Sequence, residues 1–124
     1  MSARLIRLTR RADFERLTRR GKKQVMPGLV LQSIEREDAP ARSVCRLGFT
    51  VSKKVGGSVQ RNRAKRRLRA AAALVLKDAK SGLDVVLVGR KATLTRPWSQ
   101  LIADVQNAGV KLGVLAPQTL LVDR

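Results

Sequence analysis

The sequence predicts an α+β fold: a small mixed sheet with helices packed on it, in the order α-β-β-β-α-β-α, as one domain over residues 1–124. Three observations carry this. An apolar run, Asp84-Val85-Val86-Leu87-Val88-Gly89, reads as a central strand buried on both sides. Two segments place apolar residues at helical spacing, Ala64, Leu68, Ala71, Ala72, Val75 and Ala79 in one, Leu101, Ile102 and Val105 in the other. Between Leu29 and Ser52 the pattern changes to short β-like runs separated by turn residues.

Residues 9–21 read as the first helix, with Thr9 as a candidate N-cap, Asp13 and Glu15 in its early turns, and Gly21 just past its end. Phe14 and Leu17 share one face, and Arg10, Arg11, Arg16, Arg19 and Arg20 crowd the others. Lys22 to Met26, the turn Pro27-Gly28 and Leu29 to Ile34 follow as a strand pair. The polar segment Glu35 to Arg42 reads as a hairpin loop, after which Ser43 to Ser52 returns as a strand with Cys45, Leu47, Phe49 and Val51 on one face. That shared face makes Phe49 a core residue.

The second helix carries the strongest signal. From Arg61 to Arg69 the sequence Arg-Asn-Arg-Ala-Lys-Arg-Arg-Leu-Arg surrounds the apolar stripe with cations, and Arg61 and Arg67 fall near the stripe's edges. Cations in opening turns oppose the helix macrodipole. A merely solvated face would interleave acids at i, i+4 spacing, yet no Asp or Glu occurs between Asp38 and Asp78. Phosphates are the natural source of the missing charge. Ser81-Gly82 closes this helix, and the central strand follows. Residues 97–108 form the last helix, with Pro97 in its first turn, Thr95 as cap, and Trp98 beside Leu101, Ile102 and Val105 on the packing side. The tail, about residues 110–124, has no assignable period.

Lys+Arg of 27 against Asp+Glu of 9 gives a formal charge of +18, which points to a nucleic-acid partner and to self-repulsion without it. Anions should therefore stabilise the fold by linkage. Sulfate is expected to raise the melting temperature and sharpen the circular dichroism spectrum; a spectrum and melting point indifferent to sulfate would contradict this. Aromatic content of 2% rules out extensive base stacking, so recognition should rest on backbone and shape. The absence of histidine excludes histidine triads and histidine-ligated metals, and the aspartates Asp13, Asp84 and Asp104 are scattered. Asp13 then supports a helix start and Asp84 flanks a strand. No catalytic or metal-ligating set is expected in the protein. The lone Cys45 reads as a buried thiol. No apolar run approaches a membrane span and no leader is evident, so a cytoplasmic location without membrane contact is expected.

Asp13-Phe14 ahead of Gly21-Lys22, Arg46-Leu47-Gly48-Phe49-Thr50-Val51-Ser52-Lys53-Lys54-Val55-Gly56 running into Arg61-Asn62-Arg63, and Asp84 to Arg90 together resemble the protein subunit of bacterial ribonuclease P. The resemblance covers about Thr9 to Val105. It implies a ribosomal S5 domain 2-like fold with a left-handed crossover, against the usual hand. It implies a catalytic RNA partner, ribonuclease P RNA, and a precursor tRNA substrate whose 5′ leader the holoenzyme removes, with no protein partner required. It implies that Lys53, Lys54, Arg61, Asn62, Arg63, Lys65, Arg66, Arg67 and Arg69 contact the RNA. Phe14, with Arg10 and Arg11, would hold the leader, although Phe14 also suits a core position under its helix. Mg²⁺ would be used by the holoenzyme through its RNA, with no cofactor bound by the protein alone. Thr18, Gly57-Ser58 and Leu29-Val30-Leu31 depart from the family pattern, the first and last by lacking an aromatic, and Ser58 offers a hydroxyl as helix cap. A structural RNA-binding protein without a catalytic partner is the alternative reading, distinguished by indifference to the 5′ leader.

Overall fold

The computed structural model describes residues 3–36 and 44–117. Its elements are β1 (Arg4–Arg7), α1 (Arg11–Arg20), β2 (Lys22–Val25), β3 (Leu29–Glu35), β4 (Val44–Val51), α2 (Ser58–Val75), β5 (Leu83–Gly89), α3 (Lys91–Thr95) and α4 (Trp98–Lys111). The five strands form one mixed sheet in the order β1-β4-β5-β3-β2. β1 and β5 run parallel to β4, and β3 is antiparallel to both β5 and β2. β4, α2 and β5 thus make a crossover between neighbouring parallel strands, as the resemblance implies.

β5 is the central strand, because only there do both faces of Val85-Val86-Leu87 find cover. Val85 and Leu87 join Leu29, Leu31, Cys45 and Leu47 beneath α2 and α4 in the larger core. Val86 faces the other way and packs with Leu8 and Leu17, against the half-buried Phe14, Ile34 and Val88. Among the described helices, α1 is the one that covers that second face, together with Leu8 from the chain before it.

Several expectations need correction. β3 and β4 do not form a hairpin, since β5 inserts between them; residues 37–43, within or next to the expected loop, lie outside the described residues. A local reading cannot see a strand that arrives later in the chain. β1 was not expected, because its two apolar residues, Leu5 and Ile6, are too few to show a period; its flanking arginines suit an exposed sheet edge. α1 begins at Arg11, after Leu8 has bonded to the Leu47 carbonyl as extended chain, so Thr9 lies too early to cap it. Gly21 does end α1, by close approach: a Cβ there would lie 2.5 Å from the Leu17 carbonyl oxygen.

α2 ends at Val75, short of Ser81-Gly82, and a 3-10 turn over Leu76–Asp78 carries Leu76 and then Ala79 into the core. The rest of its expected stripe, Ala64, Leu68, Ala71, Ala72 and Val75, is buried. Ser58 lies inside the helix and Gly57 holds the cap position with no side-chain bond. α4 starts at Trp98, with Pro97 at its cap, and continues to Lys111; Thr95 instead closes α3, a helix too short to show in the sequence pattern. Trp98 is 41% exposed, so it does not share the burial of Leu101 and Val105. Residues 118–124 of the tail lie outside the described residues.

Candidate nucleic-acid interface

β4 delivers the chain into the basic segment through a 3-10 turn, Lys53–Val55, whose buried Val55 leaves Lys53 and Lys54 in solvent. Gly56 follows at φ 147, a conformation open to glycine but strained for other residues. α2 then begins with no acid in its first turn and no side-chain cap. Its unbonded N–H groups and positive dipole end add to the cations around them, which is the electrostatics of an anion site. Asn62, Arg63, Arg66 and Arg69 are exposed, and Arg61 and Lys65 half-buried. Arg61 Nε is buried with no hydrogen-bond partner, so that guanidinium is held close to the protein without being neutralised by it.

Two of the expected RNA contacts have partners within the protein. Arg69 stands over the Phe49 ring at 5.8 Å, so Phe49, half-buried against the larger core, also supports a cation. Arg67 leans the other way. Its guanidinium donates to the carbonyls of Thr93 (2.7 Å), Leu94 (2.9 Å) and Arg96 (2.6 Å), and it lies 5.8 Å from the Trp98 ring centroid. It satisfies the open carbonyl end of α3 and ties α3 and α4 to α2. Arg67 is thus a strut holding the helices together, which its place at the edge of the apolar stripe permits.

Phe14, Arg10 and Arg11 lie on the α1 side of the sheet, apart from α2, which packs on the opposite side. Phe14 is half-buried over β4, where a Cβ on Gly48 would come within 2.6 Å of the ring. Glycine at 48 therefore lets the ring settle on the sheet while one side remains open. Arg10 is exposed, and Arg11 makes an exposed pair with Glu15 at 3.4 Å, worth little.

Residue-by-residue reading did not anticipate the buried cluster at the other end of this face. Asp84 does not merely flank a strand: its side chain is fully buried in β5. Arg46 grips both its oxygens at 2.7 Å, Arg36 donates at 3.1 Å and Arg16 at 3.3 Å. Arg46 also reaches Asp13 at 3.4 Å. Burial pushes the Asp84 carboxyl up, but hydrogen bonds from Arg46 and Arg36 and their charges outweigh it, leaving the group below its ordinary 3.8. Asp104 is likewise occupied, accepting from Gly28 N–H at 2.9 Å and from Arg96. The hint was an acid at the head of an apolar run in a chain this basic. Burial pushes the Cys45 thiol up to about 12, despite the opposing charge of Arg36, so it is inert as well as buried. Among the described residues no group of three or more His, Cys, Asp or Glu could hold a metal ion, and no helix is long and apolar enough to cross a membrane.

A five-stranded mixed sheet with helices, a crossover helix bearing exposed cations and a half-covered opposite face make a small α+β protein with a strongly cationic surface. The ribonuclease P family model matches residues 3–113, and the chain belongs to that family, the protein component of an endoribonuclease. It is 52% identical over 118 residues to the ribonuclease P protein component of Paramagnetospirillum magneticum, covering 93% of this chain and 88% of that one. To the protein component of Gluconacetobacter diazotrophicus it is 45% identical over 116 residues, covering 92% and 97%. Its fold is similar to that of the Staphylococcus aureus RNase P protein, with TM-score 0.68 at 23% identity over 88% of this chain and 96% of the other.

Proposed function

We propose that this protein binds the catalytic RNA of ribonuclease P through Lys53, Lys54, Arg61, Asn62, Arg63, Lys65, Arg66 and Arg69, and binds the 5′ leader of precursor tRNA across the α1 side of the sheet. The observation that carries this reading is the α2 surface, where cations gather at an uncapped helix start with no acid in the first turn. Neutralising RNA phosphates there lets RNA helices and substrate approach one another. Phe14, seated on Gly48 with Arg10 and Arg11 exposed nearby, gives a single-stranded leader an aromatic face beside positive charge. The protein thereby favours precursor over mature tRNA.

Phosphodiester cleavage is assigned to the RNA. The three aspartates considered for metal binding are each engaged by arginine, and metal-assisted in-line attack needs clustered oxygen ligands. Mg²⁺ would be held by the RNA and, when bound there, would supply the Lewis acidity that phosphodiester hydrolysis requires.

The test is cleavage of a 5′-labelled precursor tRNA at low Mg²⁺ by the protein alone, a bacterial ribonuclease P RNA alone, and both. Cleavage at the mature 5′ end that requires both is expected. No stimulation by the protein, with an RNA active at high Mg²⁺, would favour a structural RNA-binding role instead. Within the holoenzyme, Phe14→Ala is expected to reduce precursor affinity by roughly fivefold to a hundredfold, the loss of one stacked base, while leaving mature tRNA binding within about twofold. Equal losses on precursor and mature tRNA would remove Phe14 from the leader site.

A further inference from the structure

The end of the sheet farthest from the basic half of α2 holds a cavity of about 990 Å³. Five cations line it, Arg16 and Arg20 from α1, Lys22 at the start of β2, Arg36 after β3 and Lys80 before β5, against one acid, Glu35. They come from three separate stretches of chain, residues 16–22, Arg36 and Lys80, so only the first shows as a basic run in the sequence. Arg16 and Arg36 are held in place by the buried Asp84, which follows the lining residue Leu83, and the Arg36 side chain is only 2% exposed. Arg20, Lys22 and Lys80 are exposed and have no acidic partner among the described ion pairs. β5 separates the two ends of the sheet: Leu83 lines the cavity, while a Cβ on Gly89 would lie 3.5 Å from Leu68 of α2. At ~3.4 Å per residue, the seven residues Leu83–Gly89 set the cavity about 20 Å from that part of α2.

We propose that this cavity is a second anion site, which takes phosphate groups of an RNA segment other than the one on α2. With Arg16 and Arg36 held by Asp84, the exposed cations Arg20, Lys22 and Lys80 face one lining acid, Glu35, so the cavity keeps an excess of positive charge that an entering phosphate relieves. The exposed Arg20, Lys22 and Lys80 can donate to a phosphate directly; Arg36, whose donors are engaged by Asp84 and by the Leu83 and Val44 carbonyls, holds the wall they stand on. The anion site rests on the cavity alone. That RNA supplies the phosphate rests on the function proposed above, and the source is either the catalytic RNA or the substrate leader.

The first experiment uses no RNA. The full-length protein is titrated with inorganic pyrophosphate while backbone amides are followed by NMR, with Gly82 and Gly113, both lining the cavity, as reporters. Saturable shifts at both are expected, and they should vanish in the triple variant Arg20→Gln, Lys22→Gln, Lys80→Gln while shifts along α2 persist. Shifts confined to α2 in the parent protein overturn the site. The second experiment measures the salt dependence of binding to ribonuclease P RNA and, in the holoenzyme, to precursor tRNA with long and short leaders. Two phosphates lost should lower the slope of log K against log salt by roughly 1.4 to 1.8 for the RNA that occupies the cavity. A control triple at exposed lysines outside it, Lys77→Gln, Lys91→Gln and Lys111→Gln, should change that slope less. Equal changes in the two triples, or none with any RNA, overturn the assignment to RNA.

Discussion

Asp84→Asn is expected to destabilise the protein by ~3–5 kcal/mol, the usual cost of removing one partner from a buried ion pair. The side chain is fully buried and is shared by Arg46, Arg36 and Arg16. Asparagine keeps the shape and one acceptor but turns the other into a donor facing guanidinium groups, and it removes a buried carboxylate that Arg36 pairs with at 3.1 Å. Arg36 and Arg46 also bind elsewhere, Arg36 to the carbonyls of Leu83 and Val44, and Arg46 to Asp13, so the arginines stay near their places and the lost term is mainly charge. In a chain of net charge +18 that term is large compared with the total stability of a small domain. The variant should unfold substantially in low-salt buffer and regain its far-UV spectrum in sulfate. A loss under ~1 kcal/mol by denaturant titration in sulfate would show that the cluster is solvated and unimportant.

The same group fixes the direction of the acid response. In the unfolded chain the carboxyl titrates near 3.8, and in the folded protein below that. Protons therefore bind the unfolded state first, and the stabilisation from Asp84 is complete above the unfolded value and declines as pH falls through the folded one. The stability gap between the parent protein and Asp84→Asn should be constant above about pH 5 and narrow below about pH 4. A gap that widened on acidification would reverse the assignment.

What could be read along the chain was what a helix or strand shows locally. The α2 stripe was legible because alanines and leucine recur every three or four residues, and β5 because a short, valine-rich apolar run bounded by Gly82 and Gly89 suits a strand covered on both faces. The partners of a strand leave no such trace, which is why β5 separating β3 from β4 replaced the expected hairpin. Arg67 shows the same limit at the site. The cations beside it in sequence, Arg66 and Arg69, are exposed, while its neighbours in space are three carbonyls of the α3 end. Charge density in a motif marks a cationic helix face but does not say which member turns inward, beyond the hint that Arg67 sits at the stripe's edge. Trp98, expected among core residues, stays partly at the surface, where the Arg67 guanidinium lies 5.8 Å from its ring centroid.

That distinction predicts opposite phenotypes within one basic run. Arg63→Gln with Arg66→Gln removes two exposed cations whose described contacts include no ion pair or ring. The melting temperature without RNA should hold or rise slightly, because self-repulsion at a helix start is relieved. Binding to ribonuclease P RNA should weaken by roughly tenfold to a hundredfold near physiological salt, and the slope of log K against log salt should fall by roughly 1.4 to 1.8. Arg67→Gln should do the reverse. It forfeits charge-assisted hydrogen bonds to three buried-side carbonyls and the contact with Trp98, a loss of ~2–3 kcal/mol, while the salt slope changes by less than half a phosphate's share. Trp98 fluorescence reports on the repacking directly, since it is the one tryptophan in a chain without tyrosine. Arg67→Lys separates charge from geometry: an ammonium keeps the positive charge but cannot fork to three carbonyls, so stability should stay low while RNA affinity is retained. If Arg67→Gln instead lost a full phosphate from the slope with no loss of stability, Arg67 would belong to the RNA surface and α3 would need another anchor.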